Sequence, residues 1–118
     1  MNFSRGDVAL ARFPHVAGGR GKKRPVVVIQ ADVYNQTLRH VIIAEVTTNI
    51  GVSPVLANLL IEVDTPDGKA TGILQDSVVT CLHLVTMSED RVSKVIGKLS
   101  PALLNQMDVC LKSALGLT

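Results

Sequence analysis

KRPVVVIQ, residues 23–30, decides the fold. Behind its proline stand three valines and an isoleucine, with no polar residue to alternate against until Gln30. A continuous β-branched run of this length reads as a strand covered on both faces. Pro25 restricts Arg24 to an extended backbone, so the entrance to the strand is stiff. Three similar runs follow: HVIIAEVTTN at 40–49, closed by Asn49 and Gly51, LLIEV at 59–63, and SVVTCLHLVT at 77–86. GDVALARF at 6–13 alternates loosely up to Pro14, and VSKVIGKL at 92–99 reads as a short edge strand softened by Lys94, Gly97 and Lys98. TPDG at 65–68 reads as a tight reversal.

The last twenty residues change period. Ser100 can cap a helix and Pro101 suits its first position. Leu104, Met107, Leu111 and Ala114 or Leu115 then recur at helical steps until Gly116 ends them. Strands that close on themselves beside one terminal helix predict a mainly β protein, a small SH3-like barrel with a C-terminal α-helix. The whole chain, 1–118, reads as one domain.

Composition narrows the function classes. Hydrophobic residues make up 47% and charged residues 19%, which is globular rather than disordered. VLANLLIEV at 55–63 is far too short to span a membrane and contains Glu62, and MNFSRGDVAL does not read as a signal peptide. Cys81 and Cys110 are too few and too scattered for a disulfide framework or a zinc site. Both lie among apolar neighbours, and a reducing cytoplasm suits them. The expectation is a soluble, cytoplasmic protein. Phe3, Phe13 and Tyr34 are its only aromatics, so a row of base-stacking platforms is absent.

The net charge of +2 hides an asymmetry. Residues 1–39 hold seven Lys and Arg against Asp7 and Asp32, whereas residues 40–118 hold five against eight acids. Between Val8 and Ala31 there is no acid at all. A local basic face is therefore compatible with a nearly neutral whole.

That face centres on GGRGKKR, residues 18–24. Gly18, Gly19 and Gly21 let backbone approach a ligand, while Arg20, Lys22, Lys23 and Arg24 supply cations. Taken alone, such a loop is more often a solvated segment than a site. Arg24 differs because its backbone is fixed, and a fixed guanidinium can grip a phosphate through two parallel hydrogen bonds. The loop lacks P-loop spacing and precedes a strand, which argues against an NTPase. Thr47, Thr48 and Asn49 can line a cleft if their strand neighbours PVVVIQ, although threonines are also ordinary strand residues. His15 follows Pro14 toward the cationic loop, and His40 reads as exposed. His83 alternates with Cys81 and Val85 in an apolar strand, which reads as a core histidine somewhat more readily than a functional one. No His, Cys and carboxylate spacing points to a metal.

RGDV at 5–8, KRPVVV at 23–28, EVTTN at 45–49, LQDSVV at 74–79 and SPALLNQMDVCLKSALG at 100–116 occur in an order that resembles the MazF/PemK toxins over nearly the whole chain. The resemblance implies an SH3-like barrel that dimerises, cuts single-stranded RNA without ribosome or metal, needs no cofactor, and is held inactive by a cognate antitoxin. It assigns the catalytic core to Arg24 and Thr47. Two positions depart from the pattern: Gly18 stands where many members have serine or histidine, and Thr80, Leu82 and His83 where many have arginine, aspartate or glutamine. The phosphate grip is kept while the proton-handling residues change. His83 or His15 then becomes the candidate for proton transfer. Arg20, Lys22, Lys23, Thr48, Asn49 and His15 become candidate RNA contacts. A non-catalytic barrel that binds RNA, or a protein target such as a topoisomerase, is the competing expectation.

Overall fold

The computed structural model describes residues 2–13 and 22–117. The strands are β1 (Asp7–Arg12), β2 (Lys23–Val28), β3 (His40–Thr47), β4 (Asn58–Ile61), β5 (Ser77–Ser88) and β6 (Val92–Lys98). The helices are α1 (Asp32–Asn35), α2 (Pro66–Ala70) and α3 (Pro101–Leu115). One antiparallel sheet runs in the order β4-β5-β3-β2-β1-β6, so all six strands foreseen in the sequence form and VSKVIGKL does lie at an edge.

The two-sided burial expected of PVVVIQ is present. Val26, Val27 and Val28 are all fully buried. Val27 faces one apolar cluster with Val8, Ala44, Ile61, Val79 and the buried side of α3. Val26 and Val28 face a second, with Phe3, Ala9, Ala11, Val41, Ile43 and Met87. Each such side chain contributes about 1.5–3 kcal/mol on leaving water. The β1-β2-β3 ribbon is thus the shared wall of two cores.

Helix α3 begins as its sequence indicates. The Ser100 hydroxyl accepts the Leu103 N–H at 3.2 Å, Pro101 takes the first turn, and Gly116 closes the helix in the left-handed region. Its packing face carries Leu103, Met107 and Cys110 fully buried, with Leu104, Leu111 and Ala114 half-buried. Ala114 rather than Leu115 continues the stripe, since Leu115 is exposed. Neither cysteine is bonded, and burial raises the thiol of Cys110 and pushes that of Cys81 up to about 12. No helix among the described residues is long and apolar enough to cross a membrane.

TPDG does not make a tight reversal. It opens α2, because the Thr65 hydroxyl accepts the Gly68 N–H at 3.0 Å and Pro66 sits at the first turn. This is the same cap-and-proline start seen at Ser100–Pro101. The RGDV arginine is also structural. Arg5 donates Nε to the Ile29 carbonyl at 3.0 Å, pairs with Asp108 of α3, and gives its backbone N–H to Asp32 of α1. It ties the exit of β2 to two helices.

The segment after α2 lies close against β6. A Cβ at Gly97 would sit 2.4 Å from the carbonyl oxygens of Ala70 and Thr71, and one at Gly72 2.2 Å from that of Ile96. Gly116, by contrast, has open space around it and only a positive φ of +69° to satisfy. Gly97→Ala is therefore expected to cost about 3 kcal/mol through overpacking, and Gly116→Ala about 1 kcal/mol through backbone strain. Urea unfolding of the two variants checks this. Equal losses would mean that the seam at Gly97 is not tight.

Candidate active site

The period-2 alternation of the sheet carries one face from core into site. On that face β2 runs Val28, Val26, Arg24 and β3 runs Val41, Ile43, Glu45, Thr47. The β2–β3 ladder pairs Val26 with Glu45, and its continuation brings Arg24 opposite Thr47. On the other side β1 sets Ala11 against Arg24. So the apolar rows end in a cation, a carboxylate and a hydroxyl. These side chains line a cavity of about 430 Å³, joined by Phe13, Asn49, Val52, Val55, Asn58, Thr80, Leu82 and His83.

The far wall comes from a break in the β3–β5 register. Ala44 pairs with Leu84, but the next residue, Glu45, pairs with Thr80, leaving Cys81, Leu82 and His83 without partners on β3. Such bulges bend a strand and re-aim its side chains. Two of the backbone donors freed there are satisfied otherwise. Cys81 N–H donates to the Ala57 carbonyl at 3.0 Å, and Leu82 N–H to the Thr80 hydroxyl at 3.3 Å. Cys81 stays in the core while Leu82 and His83 turn outward. His83 is not a core histidine. Its side chain is 64% exposed, and its Nδ1 lies 3.1 Å from Oε2 of Glu45.

Short polar bonds fix the third wall. The Thr47 hydroxyl accepts the Asn49 N–H at 3.1 Å, and Asn49 Oδ1 accepts the Gly51 N–H at 3.2 Å. Asn58 Nδ2 donates to the Val52 carbonyl at 2.9 Å, drawing that loop against β4. A hydroxyl that accepts one backbone N–H keeps its own proton to donate. The Arg24 side chain is exposed and makes no hydrogen bond or ion pair with any described residue. The arrangement offers an anion one unengaged guanidinium and one oriented hydroxyl, beside a histidine paired to a carboxylate. No three His, Cys, Asp or Glu side chains among the described residues gather as a metal-binding group.

Of the residues singled out in the sequence, Arg24, Thr47, Asn49 and His83 line this cavity together. Lys22, Lys23 and Thr48 are exposed outside its lining. His15 and Arg20, with Gly18, lie outside the described residues. Thr80 and Leu82, noted as departures from the toxin pattern, both line the cavity. Sequence reasoning missed Glu45. The available signal was its position two residues before Thr47, as the one acid within HVIIAEVT.

A family model described as "PemK-like, MazF-like toxin of type II toxin-antitoxin system" matches residues 4–115. The chain is 30% identical to Endoribonuclease MazF6 of Mycobacterium tuberculosis over 99% of its length and 100% of that protein's. It is also 30% identical to Endoribonuclease EndoA of Bacillus subtilis over 99% of its length and 97% of that protein's. Among solved structures, the toxin MazF-mt6 of Mycobacterium tuberculosis superposes with a TM-score of 0.76 at 21% identity, covering 95% of this chain and 98% of that one. A mycobacterial endoribonuclease solved with its cognate antitoxin gives 0.77 at 19% identity, covering 98% and 97%. The MazE–MazF structure from Deinococcus radiodurans gives 0.75 at 20% identity, covering both chains fully. At these identities the superpositions establish the shared fold.

The outward turn of the bulge has a direct chemical readout. Brief treatment with diethyl pyrocarbonate followed by mass spectrometry is expected to modify His83 about as readily as the exposed His40. Protection of His83 until the protein unfolds would contradict the re-aimed strand.

Proposed function

This chain belongs to the PemK-like, MazF-like family of type II toxin–antitoxin toxins, and we propose that it is a sequence-specific endoribonuclease that cuts single-stranded mRNA without a metal and so arrests growth. The observation that carries the reading is one cavity shared by Arg24 and Thr47 from adjacent strands, with His83 across from them. Its substrate would make the cytoplasm its site of action.

The reaction is a transesterification. The RNA 2′-oxygen attacks the adjacent phosphorus as the bond to the 5′-oxygen breaks, giving a 2′,3′-cyclic phosphate and a free 5′-hydroxyl. RNA supplies its own nucleophile, so the protein has to position the strand and stabilise charge. Arg24 takes the equatorial phosphorane oxygens and the Thr47 hydroxyl donates a second hydrogen bond to them. His83 handles the 2′ proton, since a threonine hydroxyl is too weak an acid to serve readily as a base. Lys22, Lys23, Thr48 and Asn49 follow the strand away from the cavity, with Arg20 and His15 as further candidates.

Two protein partners belong to the same reading. A cognate antitoxin would hold the chain inactive, a reading supported by the mycobacterial endoribonuclease of the same fold solved in complex with its cognate antitoxin. A second copy would complete a homodimer, supported by the exposed Val109 and Leu115 on α3 and by the open sheet edges.

Arg24 has no described partner to lose, so Arg24→Ala should fold with stability within about 0.5 kcal/mol of wild type. It should nevertheless cut RNA about a hundredfold or more slowly, the usual loss for one such donor. An oligonucleotide with deoxyribose at the scissile position should stay intact, and cleavage of the all-ribose substrate should persist in EDTA. Wild-type rates from Arg24→Ala, or cutting at the deoxyribose, would sink the assignment. An inert binding module would leave RNA whole in every arm.

A further inference from the structure

Glu45 has no role in the reading above, yet it is the cavity residue in direct contact with the proposed proton carrier. It stands on β3 at the very step where the register breaks, and the Ile43–Val85 and Ala44–Leu84 pairing carried one residue further sets it beside His83. The break separates the faces: Cys81 stays in the helix-side core, while His83 follows Val85 and Met87 onto the face of Ile43 and Glu45. The contact is thus one between neighbouring strands, set by the sheet rather than by two wandering surface side chains.

An exposed ion pair adds little stability, typically under about 1 kcal/mol. With the two side chains 64% and 34% exposed, this one has little to offer the fold. Its consequence is chemical. An ionised carboxylate only accepts hydrogen bonds, so an Nδ1 that bonds to it does so with a hydrogen. In a neutral ring Nε2 is then the bare nitrogen, able to take a proton. The charged side chains lining the cavity around the ring are Glu45 of β3 and Arg24 of β2, and among these only Glu45 pairs with it.

We infer that Glu45 is a positioning residue for cleavage, one that orients His83 and holds it as the Nδ1–H tautomer so that Nε2 acts as general base toward the 2′-hydroxyl. In the step, the 2′-oxygen–phosphorus bond forms and the phosphorus–5′-oxygen bond breaks. The 2′ proton goes to Nε2, and water protonates the departing 5′-oxygen. The Glu45 carboxylate offsets the charge that the ring acquires and is not itself protonated, the relation that the carboxylate holds to histidine in serine hydrolases. Arg24 is left unpaired for the phosphate. The inference rests on the nuclease reading and refines which groups move the proton.

The test combines a spectroscopic and a kinetic measurement on the full chain. Nitrogen-15 spectra of labelled histidine should show His83 with its proton on Nδ1 in wild type and predominantly on Nε2, as in free histidine, in Glu45→Ala. Single-turnover cleavage of a single-site oligonucleotide should fall about a hundredfold in His83→Gln, a typical general-base contribution. It should fall about tenfold in Glu45→Ala with KM unchanged, in the range for loss of a residue that orients a functional histidine. The Glu45→Ala change should have no further effect in the His83→Gln background. An Nε2–H tautomer in wild type, or independent additive losses, would overturn the inference. Slow cutting by Arg24→Ala together with wild-type rates from the Glu45 and His83 variants would overturn it while leaving the nuclease reading intact. Failure of the wild-type chain to cut would remove both.

Discussion

The register break between β3 and β5 is the constraint on which the rest of the site depends. A single regular ladder would keep Cys81, Val85 and Met87 on one face, whereas Cys81 packs in the helix-side core and Val85 and Met87 in the other. Three extra residues on one strand decouple the two halves. The first half, through Thr80 and Cys81, serves β4 and the helix-side core, while the second re-pairs with β3 at Leu84. The break is tolerated because two of its freed amides find the Ala57 carbonyl and the Thr80 hydroxyl, so the donor of buried Cys81 is not stranded.

The same logic places the site at the end of an apolar face rather than in a loop. Val28 and Val26 on β2, with Val41 and Ile43 on β3, are fully buried or nearly so, and the next residues along the same rows are Arg24, Glu45 and Thr47. Polar groups set on the ends of core strands inherit the rigidity of the core, which is what preorganised charge stabilisation requires. The tight seam at Gly97 and the Arg5 bonds to Ile29, Asp32 and Asp108 hold that frame from outside.

Much of this frame was legible in the sequence. Unbroken β-branched runs announced β2 and β3, and Ser100-Pro101 with Gly116 announced both ends of α3. Arg24 was marked by the proline after it, and its meeting with Thr47 follows from antiparallel neighbours of compatible length. The misreadings have physical causes. Thr65-Pro66 carried the same start signal as Ser100-Pro101, but Asp67-Gly68 weighed toward a turn, and only the close approach of Gly68 to the Glu62 carbonyl makes its glycine intelligible. The bulge left no trace, because residues 77–86 are β-branched and apolar enough to pass for one regular strand. With the bulge hidden, His83 read as a core histidine somewhat more readily than a functional one, and Glu45 went unremarked. A pair joined across strands cannot be seen from spacing along the chain.

The most direct measurement of the central claim, that one cavity built by β2, β3 and the β5 bulge receives the scissile phosphate, is a crystal structure with an RNA strand whose scissile ribose lacks its 2′-hydroxyl. The account predicts phosphate oxygens within about 3 Å of the Arg24 guanidinium and the Thr47 hydroxyl, with His83 on the side of the sugar's 2′ carbon. A strand bound along another face, with Arg24 still turned to solvent, would contradict it.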